Sequence, residues 1–201
     1  GYFPSGASLA SVLGDMMSTG LGVIGLNWQA SPALTELEQV MCDWLRDLLG
    51  LPPVFSGVIQ DTASVATFLA LVSARERTTN YGASRQGLQD GGAPLVIYTS
   101  AQAHSSVEKA ALLAGFGRQF VRALPLDAEF RMQVPALEAA ITADRAAGLR
   151  PCAVVATTGT TATTAMDPIA AIGAIARREG IWLHVDAAMG GTAMLLPECR
   201  H

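Results

Sequence analysis

The chain has 201 residues, enough for one domain or for one domain and a fragment. Half of the residues are hydrophobic, 15% are charged and the mean hydropathy is +0.34, which excludes a disordered chain, yet no apolar stretch reaches the ~20 residues that span a bilayer. A net charge of −4 without a basic run argues against nucleic-acid binding, and three widely spaced cysteines (Cys42, Cys152 and Cys199) argue against a zinc site, so we expect a soluble, cytoplasmic protein without a metal centre.

The first predicted element is a helix with Ser31 as its N-cap and Pro32 at its first position. Its apolar residues recur with the period of a helix and are Leu34, Leu37, Met41, Trp44, Leu45 and Leu48. Gly50 is the expected stop signal. A short strand over residues 57–60 and a helix over residues 63–77 follow, separated by a turn of small residues.

Strands and helices alternate in the rest of the chain, after a loop that we expect over residues 82–94. The predicted strands cover residues 95–99, 119–123, 152–157 and 182–186, and the predicted helices cover residues 106–114, 135–147 and 168–179. Asp167 is the expected cap of the last helix, and Gly180 is its expected stop. This alternation predicts an α/β fold with a mostly parallel sheet that is covered by helices on both faces.

Small and polar residues follow the predicted strands, at the edge where parallel sheets bind ligands. These clusters are residues 61–64, 102–106, 158–161 and 184–188. In the first cluster, Thr62, Ala63 and Ser64 open a helix. Their free backbone N–H groups are suited to a phosphate, and the alternative is that Thr62 is an ordinary N-cap.

Two other side chains at this edge have more than one interpretation. Asp186 ends an apolar strand, where a carboxylate needs a cationic or hydrogen-bonding partner such as a protonated pyridine nitrogen; the alternative is that it caps the next turn. His104 follows the predicted strand 95–99, and its ring is suited to stacking on a cofactor, to donating a proton or to a structural role. Thr160 and Thr161 are equally ambiguous by themselves.

Four segments are informative in combination. They are GVIQDTASVATFLALVSARE (residues 57–76), YTSAQAHSSVEKA (98–110), ATTGTT (156–161) and IWLHVDAAMGGTAMLLPECRH (181–201). Together they resemble the group II pyridoxal-phosphate-dependent decarboxylases. Within that family, the tripeptide at residues 2–4 and the segment NWQASPALTELE (27–38) are similar to the aromatic-L-amino-acid decarboxylase branch. The resemblance extends over essentially the whole chain, in order and with family-like spacing.

The resemblance implies a fold-type-I PLP-dependent transferase-like large domain over residues 51–201, preceded by a segment for substrate access and dimerisation over residues 1–50. It implies pyridoxal 5'-phosphate (PLP) as the cofactor and two catalytic residues: His104 stacked on the pyridine ring, and Asp186, supported by His184, paired with the ring's protonated nitrogen. The other implied cofactor contacts are Thr62, Ala63 and Ser64 at the phosphate and Thr161 and Ala188 beside the ring. The implied apolar substrate pocket consists of Tyr2, Phe3, Pro4, Ile24 and Leu26.

The implied reaction is the decarboxylation of an aromatic L-amino acid to the amine and carbon dioxide by a homodimer. The family's Schiff-base lysine lies in an Asn-Pro-His-Lys-like segment that the given sequence does not reach, and we expect the single lysine, Lys109, to be a solvated helix charge. We therefore expect a portion of an active decarboxylase, with the lysine segment outside the given sequence or on a further chain. The alternative is a non-catalytic remnant that keeps the fold. Asp61, near the implied phosphate site, and Val65 depart from the family pattern.

Overall fold

The structure is a computed structural model, and it describes residues 6–88 and 92–200. The chain divides into two compact units, Gly1–Ile59 and Gln60–His201. The separate roles implied for residues 1–50 and 51–201 stay a prediction. Within the described ranges, no helix is both long enough and apolar enough to cross a membrane.

The first unit contains helices α1 (Leu9–Leu21) and α2 (Pro32–Leu48). Helix α2 confirms the predicted helix: the Ser31 hydroxyl accepts from the Leu34 N–H, and Gly50 has a φ of +68° just beyond the helix end. Helix α1 has no counterpart among the predicted elements, because its capping box is a Ser8–Ser11 pair without the acidic or amide residue that usually signals one. Neither helix contains a buried residue, and most of the apolar side chains of both helices are exposed.

The predicted strand over residues 57–60 is wrong. This segment has no strand pairing, and the side chains of Val58 and Ile59 are exposed. The Ile59 N–H donates instead to Glu38 Oε1 at 2.7 Å, on α2. A short β-branched run becomes a strand only when another strand satisfies its backbone, and here a side chain does so.

The second unit contains a four-stranded sheet in the order β2-β1-β3-β4, with every pair parallel. Its strands are β1 (Leu95–Ser100), β2 (Val121–Leu124), β3 (Arg150–Thr157) and β4 (Trp182–Asp186). Its helices are α3 (Ala63–Thr78), α4 (Gly82–Gln86), α5 (Ser105–Leu113), α6 (Val134–Ala146) and α7 (Ile169–Glu179). Three short 3₁₀ turns cover Arg118–Phe120, Gly191–Leu195 and Pro197–Cys199. The predicted α/β fold is confirmed.

Helices cover both faces of the sheet, as predicted. On one face, Ile97 of β1 and Val155 of β3 pack against α3 and α5; on the other, Val96 and Val154 pack against α6 and α7. All four of these side chains are fully buried. Because both faces are buried, β1 and β3 are continuous apolar runs rather than alternating ones, which is typical of parallel sheets.

Most element bounds agree with the sequence prediction to within one or two residues, and two of the differences involve an additional short element. The strand predicted over residues 119–123 begins at Val121, because Arg118–Phe120 forms a 3₁₀ turn before it. The loop predicted over residues 82–94 contains the five-residue helix α4. Both are local deviations that leave the order of the larger elements unchanged.

A buried polar cluster ties the sheet to α6. The Tyr98 hydroxyl donates to Asp144 Oδ2 at 2.9 Å, and Arg122 Nη2 donates to Asp144 Oδ1 at 2.6 Å. Tyr98 is fully buried, and burial together with the Asp144 carboxylate raises the pKa of its hydroxyl. These hydrogen bonds therefore stabilise the Asp144 carboxylate, whose burial beside the apolar face would otherwise be unfavourable.

Candidate active site

The carboxyl ends of all four strands lie at one edge of the sheet, because the strands are parallel. The strands end there at Ser100, Leu124, Thr157 and Asp186. Helix α5 begins soon after β1 at this edge, and the loop after β3 returns to it through the Thr158–Met166 bridge. The edge therefore brings together three of the four polar clusters that the sequence analysis singled out.

Asp186 is a nearly buried carboxylate at the end of β4, with a relative exposure of 9%. Its Oδ1 accepts from the Ala188 N–H at 3.1 Å, so Asp186 does cap the turn that follows β4. Within residues 6–88 and 92–200, no cation lies within ion-pair distance of this carboxylate. A buried negative charge with a single hydrogen bond has capacity for a cationic partner.

His184 lies on the same face of β4 as Asp186, two residues earlier, and its Nε2 is 3.3 Å from Thr67 Oγ1 of α3. Burial lowers the pKa of His184 below its ordinary value, against a smaller raising effect of the Asp186 charge. The imidazole is therefore a neutral link between β4 and α3. Thr67 is a site residue that the sequence analysis missed; its signal is a hydroxyl one turn into α3, within the otherwise apolar run at residues 65–72.

The lowered pKa of His184 predicts a pH-dependent stability. Above its ordinary pKa of 6.5, the ring is neutral in both the folded and the unfolded protein. As the pH falls below 6.5, the unfolded chain takes up the proton first, so the free energy of unfolding decreases towards the lower pKa of the folded state. We expect His184→Gln, which cannot charge, to reduce this acid-side loss, as measured by urea unfolding at pH 7.5 and 5.5. An unchanged difference between the two pH values would contradict the assignment.

His104 is the N-cap of α5, and its ring is exposed. Its Nδ1 accepts from the Ser106 N–H at 3.3 Å and lies 2.9 Å from Ser106 Oγ. Because Nδ1 is the acceptor, the neutral ring carries its proton on Nε2. Ser106 thus fixes both the position and the tautomer of His104, which the sequence pattern did not indicate.

At the start of α3, Thr62 has a different role from Ala63 and Ser64. The Thr62 hydroxyl accepts from the Val65 N–H at 3.2 Å, so Thr62 is an ordinary N-cap. In the described part of the chain, the N–H groups of Ala63 and Ser64 have no hydrogen-bond partner. These two amides are the groups that remain for an anion.

The loops after β3 and β4 approach each other closely through glycines. The Gly190 N–H donates to the Thr158 carbonyl at 3.1 Å, and a Cβ at Gly190 would lie 2.5 Å from that oxygen. Thr160 is buried and its hydroxyl bonds to Thr163 Oγ1 at 2.7 Å, whereas Thr161 and Ala188 are exposed. Thr160 is therefore structural, and Thr161 and Ala188 remain accessible.

These groups fit PLP chemically. The Asp186 carboxylate matches a pyridinium nitrogen, the amides of Ala63 and Ser64 match a phosphate, and the exposed His104 ring offers a flat surface. The cofactor roles of these residues stay predictions, as do those of Thr62, Thr161 and Ala188. Lys109 is exposed on α5, as expected.

The structure does not test the predicted substrate residues. Tyr2, Phe3 and Pro4 lie outside the described residues. Ile24 and Leu26 follow α1 in the first unit, where both side chains are exposed. Their role in substrate binding stays a prediction.

The whole chain, residues 1–201, matches the family described as the pyridoxal-dependent decarboxylase conserved domain. It is 47% identical over 211 residues to the aromatic-L-amino-acid decarboxylase of Bos taurus, covering 100% of this chain and 43% of that relative. Among solved structures, it is similar to Catharanthus roseus tryptophan decarboxylase in complex with L-tryptophan (TM-score 0.90, 40% identity) and to Oryza sativa TDC with PLP and tryptamine (TM-score 0.91, 39% identity). Each match covers 100% of this chain and 42% of the solved chain, so the sequence spans less than half the length of these relatives. The chain belongs to the pyridoxal-dependent decarboxylase family, with the fold-type-I architecture of its solved members.

Proposed function

We propose that the protein removes the α-carboxylate of an aromatic L-amino acid, giving the amine and carbon dioxide, with PLP as cofactor. The observation that carries the proposal is the nearly buried Asp186 carboxylate, which has no cationic partner among the described residues at the ligand-binding edge of the sheet. The names of the relatives support the reaction and the aromatic substrate class. The turn cap alone does not require a carboxylate, because an Asn side chain can accept the same hydrogen bond from the Ala188 N–H.

The cofactor, when bound, supplies an electron sink for the bond that releases carbon dioxide. Asp186 keeps a proton on the ring nitrogen, because its negative charge favours the cationic form. The amides of Ala63 and Ser64 anchor the phosphate at the start of α3. His104, with its proton on Nε2, would pack its ring against the cofactor, while His184 and Thr67 hold β4 against α3.

The substrate side chain is expected to occupy an apolar pocket that includes Tyr2, Phe3, Pro4, Ile24 and Leu26. We infer a homodimer, because most apolar side chains of α1 and α2 are exposed. We also place the protein in the cytoplasm, since Cys42, Cys152 and Cys199 are all free thiols.

The test uses the full-length product of the gene, saturated with PLP. Tryptophan, tyrosine, dopa and phenylalanine are supplied separately, with glutamate and histidine as comparison substrates, and carbon dioxide and the organic product are quantified by mass spectrometry. We expect carbon dioxide and the amine in equal amounts from at least one aromatic substrate. Turnover of glutamate or histidine alone would contradict the substrate class, an aldehyde product would contradict amine formation, and PLP binding without turnover would favour the non-catalytic remnant.

A further inference from the structure

Thr157, the last residue of β3, has a buried hydroxyl that makes no hydrogen bond within the described residues. The residue is 4% exposed. Both backbone groups of Thr157 already have hydrogen-bond partners. Its N–H donates to Asp167 Oδ2 at 2.8 Å, and its carbonyl accepts from the Asp167 N–H at 2.9 Å. A buried hydroxyl without a partner is unfavourable, so this one is expected to gain a partner in the functional state.

The residue beside Thr157 on the neighbouring strand β4 is Asp186. Thr157 and Asp186 are register partners on the neighbouring parallel strands β3 and β4, which such sheets hold about 4.8 Å apart. Both side chains lie on the face that α3 covers: Val155 packs there two residues before Thr157, and His184 contacts Thr67 of α3 two residues before Asp186. Rotation about the Cα–Cβ bond of Thr157 therefore brings its hydroxyl within reach of the carboxylate.

We propose that Thr157 is a positioning residue, whose hydroxyl donates to the Asp186 carboxylate when that carboxylate pairs with the cationic ring nitrogen of PLP. This inference rests on the proposed function. The carboxylate then has two donors, the Ala188 N–H and the Thr157 hydroxyl, on chain segments that approach it from different strands. Held in this way, it keeps one oxygen directed at the ring nitrogen.

The test is the equilibrium affinity of the full-length apoprotein for PLP, titrated by absorbance and protein fluorescence. Thr157→Val keeps the shape of the side chain and removes the hydroxyl, so we expect it to weaken PLP binding by about tenfold, the effect of losing a hydrogen bond to a charged group. Thr157→Ser restores the hydroxyl and should recover most of the affinity. The matched control is Thr99→Val: Thr99 is also buried, has a hydroxyl without a partner among the described residues and lies on the same face, but its register partners are Ala123 and Val155.

Thermal melting of each apoprotein separates loss of structure from loss of positioning. The inference is overturned if Thr157→Val binds PLP as tightly as the wild type, if Thr99→Val weakens binding equally, or if Thr157→Ser fails to restore it. A wild-type protein that does not bind PLP would overturn the proposed function and this inference with it. Normal wild-type binding with an unaffected Thr157→Val variant would overturn the positioning role alone.

Discussion

Replacing Asp186 by Asn in the full-length protein is expected to lower kcat by about a hundredfold to a thousandfold at saturating PLP. Asn has nearly the same shape and can still accept the hydrogen bond from the Ala188 N–H, so the fold at the end of β4 should persist. It carries no charge, however, and therefore cannot favour the protonated ring nitrogen. The measurement is the rate of carbon dioxide release under conditions where bound PLP is quantified and equal in both proteins.

The matched control for this substitution is Asp144→Asn. Asp144 is also a buried carboxylate of the second unit, but Tyr98 and Arg122 already satisfy it within the α6 cluster. Its replacement should lower the midpoint of thermal unfolding and leave kcat close to the wild-type value. A kcat of Asp186→Asn within about tenfold of wild type would contradict the electrostatic role of Asp186, because a lost charge in a desolvated site has a larger effect.

The parallel sheet was predictable because its cause lies in local sequence. Apolar runs such as those of β1 and β3 alternate with helix-length segments, and a strand buried on both faces needs no alternating pattern. The run at residues 57–60 has similar composition, yet it forms no strand, because its backbone bonds to Glu38 of α2. Composition indicates which segments can be extended, whereas pairing depends on contacts distant in sequence.

The candidate site was predictable in outline for a related reason. Parallel strands bring their ends to one edge, so Asp186 and His104 could be assigned to that edge from the order of the elements alone. The groups that orient them could not be identified, since Thr67 is 117 residues from His184 and the unpartnered hydroxyl of Thr157 has no signature in sequence. Side-chain hydrogen bonds over such separations depend on packing rather than on pattern.

Asp167 is the clearest case in which a local rule gave the wrong role. The Asp-Pro pair predicts an N-cap for α7, but the N-cap position is Pro168, and no side chain in the described part of the chain caps this helix. The Asp167 carboxylate accepts instead from the N–H groups of Met132 and Thr157, at 2.7 and 2.8 Å. It thereby joins the end of β3 to the segment before α6.

We expect Asp167→Ala to lower the free energy of unfolding by about 3 kcal/mol, because it leaves two buried backbone N–H groups without an acceptor. Asp167 is 3% exposed, so water does not readily replace the lost oxygens. Burial raises the pKa of this carboxyl above its ordinary value, although both N–H groups oppose the shift. Asp167→Asn keeps one acceptor oxygen and should therefore be less destabilising than Asp167→Ala in urea unfolding.

Asp127 provides the matched control, because its carboxylate also accepts from two backbone N–H groups, those of Glu129 and Arg131. Its side chain is 30% exposed, so water can take over both N–H groups when the carboxylate is removed. We expect Asp127→Ala to lower the free energy of unfolding much less than Asp167→Ala does, even though it also loses an exposed ion pair with Arg131. Equal losses for Asp127→Ala and Asp167→Ala would mean that burial does not determine the effect. The connection between β3 and α6 would then depend on the apolar contacts of Met132 and Leu137 rather than on the carboxylate.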